Sequence, residues 1–255
     1  MIPADDRGLL LGDGLFETLL ARSGELVELD AHLERMAAGC AVLGLPALDK
    51  VEAAALMRAA VAAAGLEGAR AAVRLTLTAG SGGRGLDRPD APAPRLLASA
   101  AFAAAVETPV RLATSPIRRN PDSPAARLKT LAYLDNVLAR RQAVAAGADE
   151  ALMLNTRGEL ACAAAANLFW LRDGRLFTPA LECGVLAGIT RAAVIAAAAG
   201  MGVAVEQVAV GRSALEGVEA AFLTNSLIGV RPAAELDGRP LGGSPLVERL
   251  ARALA

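Results

Sequence analysis

The first candidate for chemistry in this chain is a lysine. Lys50 and Lys129 are the two lysines among 26 basic residues. A lysine amine can form an imine, which arginine cannot, and desolvation lowers the amine's pKa toward the reactive neutral form. Lys50 opens a predicted helix and is expected to be solvated, whereas Lys129 lies among apolar neighbours ahead of a long predicted helix. Lys129 is therefore a candidate Schiff-base lysine, and the alternative is a surface lysine whose stem packs on apolar residues.

Two polar segments could bind an anionic group such as a phosphate. Gly188-Ile189-Thr190 precedes a predicted helix and offers backbone amides and a hydroxyl, although many ordinary helices begin after glycine. Thr224-Asn225-Ser226 ends a predicted strand and supplies more hydroxyls, and a plain turn explains it equally well. The glycine-rich stretch Gly80 to Gly85 lacks the Lys-Ser/Thr ending of a nucleotide-binding loop, so a flexible turn is expected there.

Other common chemistries have little support in the sequence. His32 is the sole histidine, which excludes multi-histidine metal clusters and disfavours a serine hydrolase. It lies near the start of a predicted helix, where a structural role is favoured over that of a general acid. No metal site is predicted. The three cysteines, Cys40, Cys162 and Cys183, are odd in number and widely spaced, as in reduced cytoplasmic thiols.

Composition narrows the range of partners. The net charge is −1 and the pI is near 6.0, so a nucleic acid is not an expected partner. Hydrophobic residues make up 54% of the chain, but the uncharged run from Ala192 to Val205 is interrupted by glycines and is too short to span a bilayer. The N-terminus shows no basic region followed by an apolar core. The sequence predicts a cytoplasmic protein that acts on a small molecule.

The elements that would position these residues begin with a small α+β domain over residues 1–103. Residues 15–21 and 25–29 are predicted strands around a turn at Ser23-Gly24. Asp30 is expected to cap a helix, and a second helix covers residues 51–64. Alternating apolar and polar residues predict a half-buried strand over 70–79, with a neighbouring strand over 95–101. Residues 104–109 are a candidate linker.

A larger domain is predicted over residues 110–255. A strand at 110–115 is followed by a helix over 131–146, and a second helix starts after Gly188 and runs to about 199. Further strands are predicted at 151–154, 166–171, 175–178, 203–210 and 220–224, and a C-terminal helix begins at Pro245. The fold class is therefore α/β (α+β), with two domains and mixed or antiparallel sheets.

Six short motifs occur in an order that resembles the class IV (fold-type IV) aminotransferase family. They are Gly12-Asp13-Gly14-Leu15-Phe16-Glu17-Thr18, His32-Leu33-Glu34-Arg35-Met36, Arg127-Leu128-Lys129, Gly147-Ala148-Asp149-Glu150-Ala151-Leu152, Ala166-Asn167-Leu168-Phe169-Trp170 and Gly188-Ile189-Thr190-Arg191. Within the family, the loop over residues 80–85 and the segment 166–170 look most like the 4-amino-4-deoxychorismate lyases. The resemblance extends from about Arg7 to Pro232.

The resemblance implies an enzyme that uses pyridoxal 5'-phosphate (PLP). Lys129 would carry the cofactor as a Schiff base and move the proton during catalysis. The family's phosphate-binding positions correspond to Arg35, Ile189, Thr190 and Ser226. Arg84 lies in the loop that reaches the substrate in this family, where its guanidinium could pair with a substrate carboxylate. Phe16 and Tyr133 correspond to walls of the substrate pocket. The family fold has a small and a large domain with PLP at their interface, usually in a homodimer.

One position departs from the family pattern. The family has a glutamate that pairs with the pyridine nitrogen of the cofactor, five residues before the position of Asn167, where this chain has Cys162. A thiol would keep that nitrogen protonated only weakly unless it ionised. Glu159 lies at an odd offset from Cys162, which would place it on the opposite face of a strand, so it is not an obvious substitute.

Three functions are consistent with these residues. The first is 4-amino-4-deoxychorismate lyase, which releases pyruvate to leave p-aminobenzoate for folate synthesis. The second is an aminotransferase for branched-chain or D-amino acids, which would use the same cofactor residues. The third is a homologue without catalytic activity, suggested by Cys162.

Overall fold

A computed structural model describes residues 2–254, which divide into two compact units. The first unit takes the chain up to Ala105 together with Leu128–Ala132. The second unit takes Val106–Arg127 and the chain from Tyr133 onward. The segment that carries Lys129 therefore belongs to the first unit, whereas the sequence pattern had grouped it with the residues that follow.

The first unit contains a four-stranded antiparallel sheet with helices packed on it. Its elements are α1 (Arg7–Leu11), β1 (Gly14–Arg22), β2 (Glu25–Leu26), α2 (Leu29–Leu43), α3 (Lys50–Ala63), β3 (Arg70–Thr78) and β4 (Arg95–Phe102), with the strands in the order β2-β1-β3-β4. β1 and β2 form the hairpin predicted around Ser23-Gly24. Val73 and Leu75 of β3 are fully buried in a core shared with Met36 and Met57, so the predicted alternation of β3 is confirmed.

The two main helices of this unit start differently. Asp49 caps α3, because its side chain accepts hydrogen bonds from the backbone N–H groups of Val51 and Glu52. The prediction that Asp30 caps α2 was wrong. Glu28 occupies that position with a left-handed backbone (φ 55°) and makes no side-chain cap. Asp30 lies in the first turn, where its charge still interacts favourably with the helix dipole.

The residues around Lys129 extend the sheet of the first unit. β2 pairs with β1 only at Ala21 and Arg22, which leaves the edge of β1 near Gly14 available. There the N–H of Phe16 donates to the Lys129 carbonyl at 2.9 Å, and the N–H of Leu131 donates to the Gly14 carbonyl at 3.1 Å. Residues 129–131 are therefore extended. The helix predicted from residue 131 begins only at Leu134, because this backbone is already paired.

The second unit contains a mixed nine-stranded sheet. Its strands are β5 (Val110–Thr114), β6 (Glu150–Leu154), β7 (Leu160–Ala163), β8 (Asn167–Arg172), β9 (Arg175–Pro179), β10 (Val205–Val208), β11 (Ala220–Asn225), β12 (Gly229–Leu236) and β13 (Arg239–Pro240). They follow the order β10-β9-β8-β11-β12-β5-β6-β7, and β13 pairs with β12. The helices are α4 (Leu134–Ala145), α5 (Ile189–Gly200) and α6 (Pro245–Ala253).

Both faces of the central strands in this sheet are buried. The rings of Phe169 and Phe222 stack with centroids 5.0 Å apart, in a cluster that includes residues of α5 and α6. Leu168 and Leu223 alternate with these rings and join a cluster on the other face of the sheet. Burial on both faces explains why β8 and β11 are nearly continuous apolar runs that the sequence revealed readily.

Four elements were absent from the sequence prediction. They are α1, β7, β12 and β13, which are short, alanine-rich or interrupted by Pro232, and so lack a clear apolar period. Among residues 2–254, no helix is long and apolar enough to cross a membrane. Over the same residues, no group of His, Cys, Asp or Glu side chains is placed to hold a metal ion.

Candidate active site

The amine of Lys129 lies over an aromatic ring. Its Nζ is 4.2 Å from the centroid of the Phe16 ring, and the guanidinium carbon of Arg74 is 3.8 Å from the same centroid. A cation near an aromatic face is attracted by the electron density of the ring. The structure thus brings the predicted residues Lys129 and Phe16 together and adds Arg74 from β3.

The buried carboxylate of Glu17, the residue after Phe16, contacts two further side chains. His32 Nδ1 is 2.7 Å from Glu17 Oε2. Arg35 donates to both carboxylate oxygens, from Nε to Oε1 at 2.8 Å and from Nη2 to Oε2 at 2.6 Å. Burial raises the pKa of Glu17, but the hydrogen bonds from Arg35 and His32 outweigh it and hold the pKa below its usual value. Arg35, a predicted phosphate-binding residue, is oriented by this carboxylate.

The surroundings of Lys129 favour its neutral form. Burial lowers the pKa of Lys129 to about 8, with the negative charge of Glu17 opposing this shift and the positive charges of Arg35 and Arg74 adding to it. At pH 7 about a tenth of such an amine is neutral, against roughly one part in three thousand for an ordinary lysine. The amine is therefore suited to attack a carbonyl near neutral pH.

We expect the reactivity of Lys129 to follow this pKa. Because only the neutral amine is nucleophilic, acylation of Lys129 should rise with pH and level off above about pH 8. Competitive labelling across pH, read by mass spectrometry of the Lys129 peptide, measures the profile, and Nα-acetyl-lysine in the same tube is the reference. A profile that is still rising at about pH 10, as for the reference, would contradict the lowered pKa.

In the second unit, the start of α5 offers unpaired backbone amides. Gly188 precedes the helix and supplies no side-chain cap, and no acidic residue lies in the first turn. A Cβ at Gly188 would lie 2.0 Å from Asn167 Oδ1, so a larger residue here would displace the Asn167 side chain. The first N–H groups, including those of Ile189 and Thr190, have no partner within the helix. This end of α5 can bind an anion such as a phosphate.

A buried hydroxyl lies beside the start of α5. Thr224 pairs directly with Asn167 across β11 and β8, and its Oγ1 has no hydrogen-bond partner among the described residues. Such a group costs roughly 1–3 kcal/mol unless it meets a partner. Ser226 follows in a turn that is ordered by Asn225, whose Oδ1 accepts the N–H groups of Leu227 and Ile228, each at 2.9 Å. A ligand with several acceptor oxygens suits this arrangement.

The remaining predicted residues lie in three different settings. Arg84, in the first unit, is exposed on a turn that is closed by a 3.1 Å bond from the N–H of Asp87 to its carbonyl. Tyr133, in the second unit, is half-buried and directly precedes α4. Cys162 is buried on β7, where burial raises the pKa of its thiol, the charge of Arg119 opposes the shift and that of Glu150 adds to it. The thiol therefore stays protonated near neutral pH.

The carboxylate of Glu159 has a partner of its own. Asn155 Nδ2 donates to Glu159 Oε2 at 2.6 Å, and Glu159 lies just before the start of β7. Burial, together with the charge of Glu159, raises the pKa of the Cys183 thiol to about 11. Glu159 thus acts on Asn155 and Cys183, and the thiol of Cys162 stays protonated at the position where the resemblance implies a glutamate.

Sequence reasoning did not assign a role to Glu17 or Arg74, and it named Thr224 only within a segment that a plain turn explained equally well. Glu17 carried a usable signal, because a carboxylate within the apolar run of β1 must find a partner when it is buried. Arg74 looked like the solvent face of an alternating strand. Thr224 lies in an ordinary strand end, and nothing in its local sequence shows that its hydroxyl is left without a partner.

Relatives of this chain are named as aminotransferases and as lyases. A Methanocaldococcus jannaschii protein named "Putative branched-chain-amino-acid aminotransferase" is 32% identical over 95% of this chain and 85% of its own length. An aminodeoxychorismate lyase from Vibrio harveyi is 28% identical over 91% of this chain and 86% of its own length. Both alignments span almost the whole chain, so the chain is similar to enzymes with different activities.

Solved structures with the same fold confirm the expected fold type. A "Putative 4-amino-4-deoxychorismate lyase" from Legionella pneumophila is 30% identical, covers 100% of this chain and 94% of its own, and has a TM-score of 0.92. A hypothetical aminotransferase from Mycobacterium tuberculosis in a PLP-bound form is 25% identical, covers 100% and 92%, and has a TM-score of 0.87. The family model for amino-transferase class IV matches residues 14–236. The chain belongs to the class IV aminotransferase family and is an enzyme of that family.

Proposed function

We propose that the protein binds PLP through a Schiff base on Lys129. The observation that carries this proposal is the buried amine of Lys129, which is placed over Phe16 and has a pKa lowered to about 8. An amine with this pKa is a nucleophile for an aldehyde near neutral pH. The PLP-bound relative supports the choice of cofactor.

The phosphate-binding residues that we propose also fit the cofactor. The start of α5 supplies the amides of Ile189 and Thr190, and the hydroxyls of Thr224 and Ser226 lie at the end of β11 and in the turn that follows. The unpaired Oγ1 of Thr224 fits an oxygen-rich group. Arg35 would add a positive charge for the phosphate, with Glu17 holding its guanidinium in place.

Bound PLP supplies an electron sink for the electron pair that remains when a proton leaves the substrate. In the proposed mechanism, Nζ of Lys129 accepts this proton and returns it later in the reaction. The charges of Arg35 and Arg74 keep the amine from holding the proton too tightly, and Glu17 limits how far its pKa falls. Phe16 restricts the positions open to the amine and excludes water from one side of it.

The activity that we propose is 4-amino-4-deoxychorismate lyase. Its substrate loses one proton from carbon and breaks the bond to its enolpyruvyl group, and the proton ends on the departing pyruvate. The products, p-aminobenzoate and pyruvate, contain all atoms of the substrate, so no amino acceptor is consumed. The lyase relatives and the family-like loop over residues 80–85 support this choice.

The second candidate is a branched-chain aminotransferase, favoured by the 32% identical relative of that name. Both reactions begin with loss of a proton from the amine-bearing carbon of the substrate, and the protonated thiol of Cys162 supports a protonated cofactor ring poorly. Cys162 therefore weakens both activities and does not choose between them. A homodimer, a role in folate synthesis and a cytoplasmic location remain predictions.

The test supplies the protein with PLP and 4-amino-4-deoxychorismate without a keto acid. We expect p-aminobenzoate and pyruvate in equal amounts, measured by fluorescence and by a coupled lactate dehydrogenase assay. A parallel reaction contains leucine or D-alanine with 2-oxoglutarate, and glutamate formation there without p-aminobenzoate release would support the aminotransferase instead. If neither reaction proceeds although PLP is bound, both proposed activities are wrong.

A further inference from the structure

The side chain of Arg7 is buried within the loop formed by residues 80–88. Its side chain is 5% exposed. It donates to four loop carbonyls, those of Leu86 and Asp87 at 2.9 Å, of Gly85 at 3.4 Å and of Gly82 at 3.5 Å. The backbone N–H of Arg7 also donates to the Gly80 carbonyl at 2.8 Å. Arg7 thus contacts the loop at both ends and in the middle.

Asp13 joins Arg7 to the end of this loop. The carboxylate of Asp13 accepts from Arg7 Nε and from Arg88 Nε, each at 2.9 Å. Arg88 also donates to the Leu43 carbonyl at the end of α2. The hydrogen bond from Arg88 is the main reason why the pKa of Asp13 is lowered, so its carboxylate is ionised between the two guanidinium groups. We call Arg7, Asp13 and Arg88 the loop clamp.

The residues at the start of β1 connect the loop clamp to the segment of Lys129. The Asp13 carbonyl accepts from the N–H of Ala79 at 2.9 Å, just before the loop begins. The next residue, Gly14, accepts from the N–H of Leu131. Asp13 and Gly14 therefore bind both the base of the loop, at Ala79, and the backbone beside Lys129, at Leu131. Arg84 lies in the loop between the contacts made by Arg7.

Glycine in the loop makes room for the Arg7 side chain. A Cβ at Gly83 would lie 2.0 Å from the Asp87 carbonyl oxygen and 3.1 Å from Arg7 Nη1. Gly83 also has a φ of 83°, which L side chains rarely adopt. The loop is closed around the guanidinium, and this contradicts the flexible turn that was expected from its composition.

We propose that Arg7 is a positioning residue that fixes the loop over residues 80–88 so that Arg84 meets the carboxylate of the substrate. The proposal rests on the proposed function for the role of Arg84, and it assigns to Arg7, Asp13 and Arg88 the task of holding that arginine. When Arg84 is already held in place, substrate binding does not have to pay the entropy of ordering this side chain. The loop clamp therefore lowers KM for an anionic substrate.

The substitution Arg7→Lys separates this role from charge alone. Lysine keeps the positive charge beside Asp13 but has three donors at one point, too few and too compact for the four carbonyls that Arg7 reaches. We expect KM for 4-amino-4-deoxychorismate to rise about tenfold with kcat within about twofold, as for a loss of binding alone. Arg58→Lys, an exposed substitution on α3 of the same unit, should leave both constants unchanged.

A double-mutant cycle tests whether Arg7 acts through Arg84. Arg84→Ala should also raise KM, and the double variant Arg7→Lys/Arg84→Ala should be no worse than Arg84→Ala alone. Additive effects on KM, or an unchanged KM in Arg7→Lys, would overturn the proposal. The proposed function would still stand, provided that the protein releases p-aminobenzoate. An unchanged KM in Arg84→Ala would overturn it as well, because the loop clamp would have nothing to position.

Limited proteolysis reports on the loop clamp without any turnover. Trypsin can cleave after the exposed Arg84, and the bond after Arg88 is protected by Pro89. We expect cleavage after Arg84 to be about tenfold faster in Arg7→Lys than in the wild type or Arg58→Lys, because a loosened loop fits a protease more readily. If Arg7→Lys does not fold, Arg88→Lys opens the loop clamp from its other end and gives the same readout. Equal cleavage in all folded variants would overturn the proposal even if the protein has no lyase activity.

Discussion

Replacing Lys129 by alanine is expected to remove the covalent bond to PLP and to lower turnover by about four orders of magnitude. The wild-type protein should show a visible absorption band with added PLP, and borohydride should fix the cofactor to the Lys129 peptide. The reason is the buried amine, whose pKa of about 8 makes it the nucleophile and then the proton carrier. Absorption spectra and mass spectrometry of the reduced peptide measure the first effect, and p-aminobenzoate release measures the second.

The composition of the chain offers a matched control for this experiment. Lys50 is the other lysine, and it is partly exposed and pairs with Glu34 on the surface of the first unit. Lys50→Ala should keep the absorption band and the activity. Lys129→Arg keeps a positive charge over Phe16 but cannot form an imine, so it should behave like Lys129→Ala. If PLP remained covalently bound in Lys129→Ala, the assignment of this lysine would be wrong.

Much of the framework of each unit could be predicted from local sequence. The hairpin at Ser23-Gly24 and the cap of α3 at Asp49 rest on short-range signals, and the structure confirms both. β8 and β11 were visible as apolar runs because both of their faces are buried. In each case residues close together in the sequence determine the element.

The environment of the amine could not be predicted in the same way. The pairing of residues 129–131 with β1 joins segments that are far apart in the sequence, and local patterns favoured a helix at residue 131 instead. The position of Arg74 beside Phe16 depends on the register between β1 and β3. The register of a sheet is set by contacts along the whole strand. The positions of Lys129 and Arg74 over Phe16 therefore could not be predicted from the residues next to them in the sequence.

The pairing of Glu17 with Arg35 and His32 leads to the second large effect, on stability. We expect Glu17→Gln to lower the free energy of unfolding by about 3 kcal/mol at pH 7, because it leaves the Arg35 charge without its buried partner. Urea unfolding measures this difference. The matched control is Glu34→Gln, which removes an exposed partner of Lys50 and should cost less than about 1 kcal/mol. Equal losses of unfolding free energy in the two variants would show that the buried ion pair stabilises the fold no more than the exposed one.

The pH dependence and the chemistry of Lys129 distinguish this effect from a general packing defect. The pKa of Glu17 is lowered in the folded protein, so its stabilisation is fully present above the unfolded value of about 4.3 and is lost as the pH falls through the folded pKa. The gap between wild type and Glu17→Gln should therefore narrow below about pH 4. Since the charge of Glu17 raises the pKa of Lys129, the variant should also shift the labelling profile of Lys129 to lower pH. A packing defect would leave that profile unchanged, and a shift to higher pH would show that Glu17 does not act on the amine as a nearby negative charge.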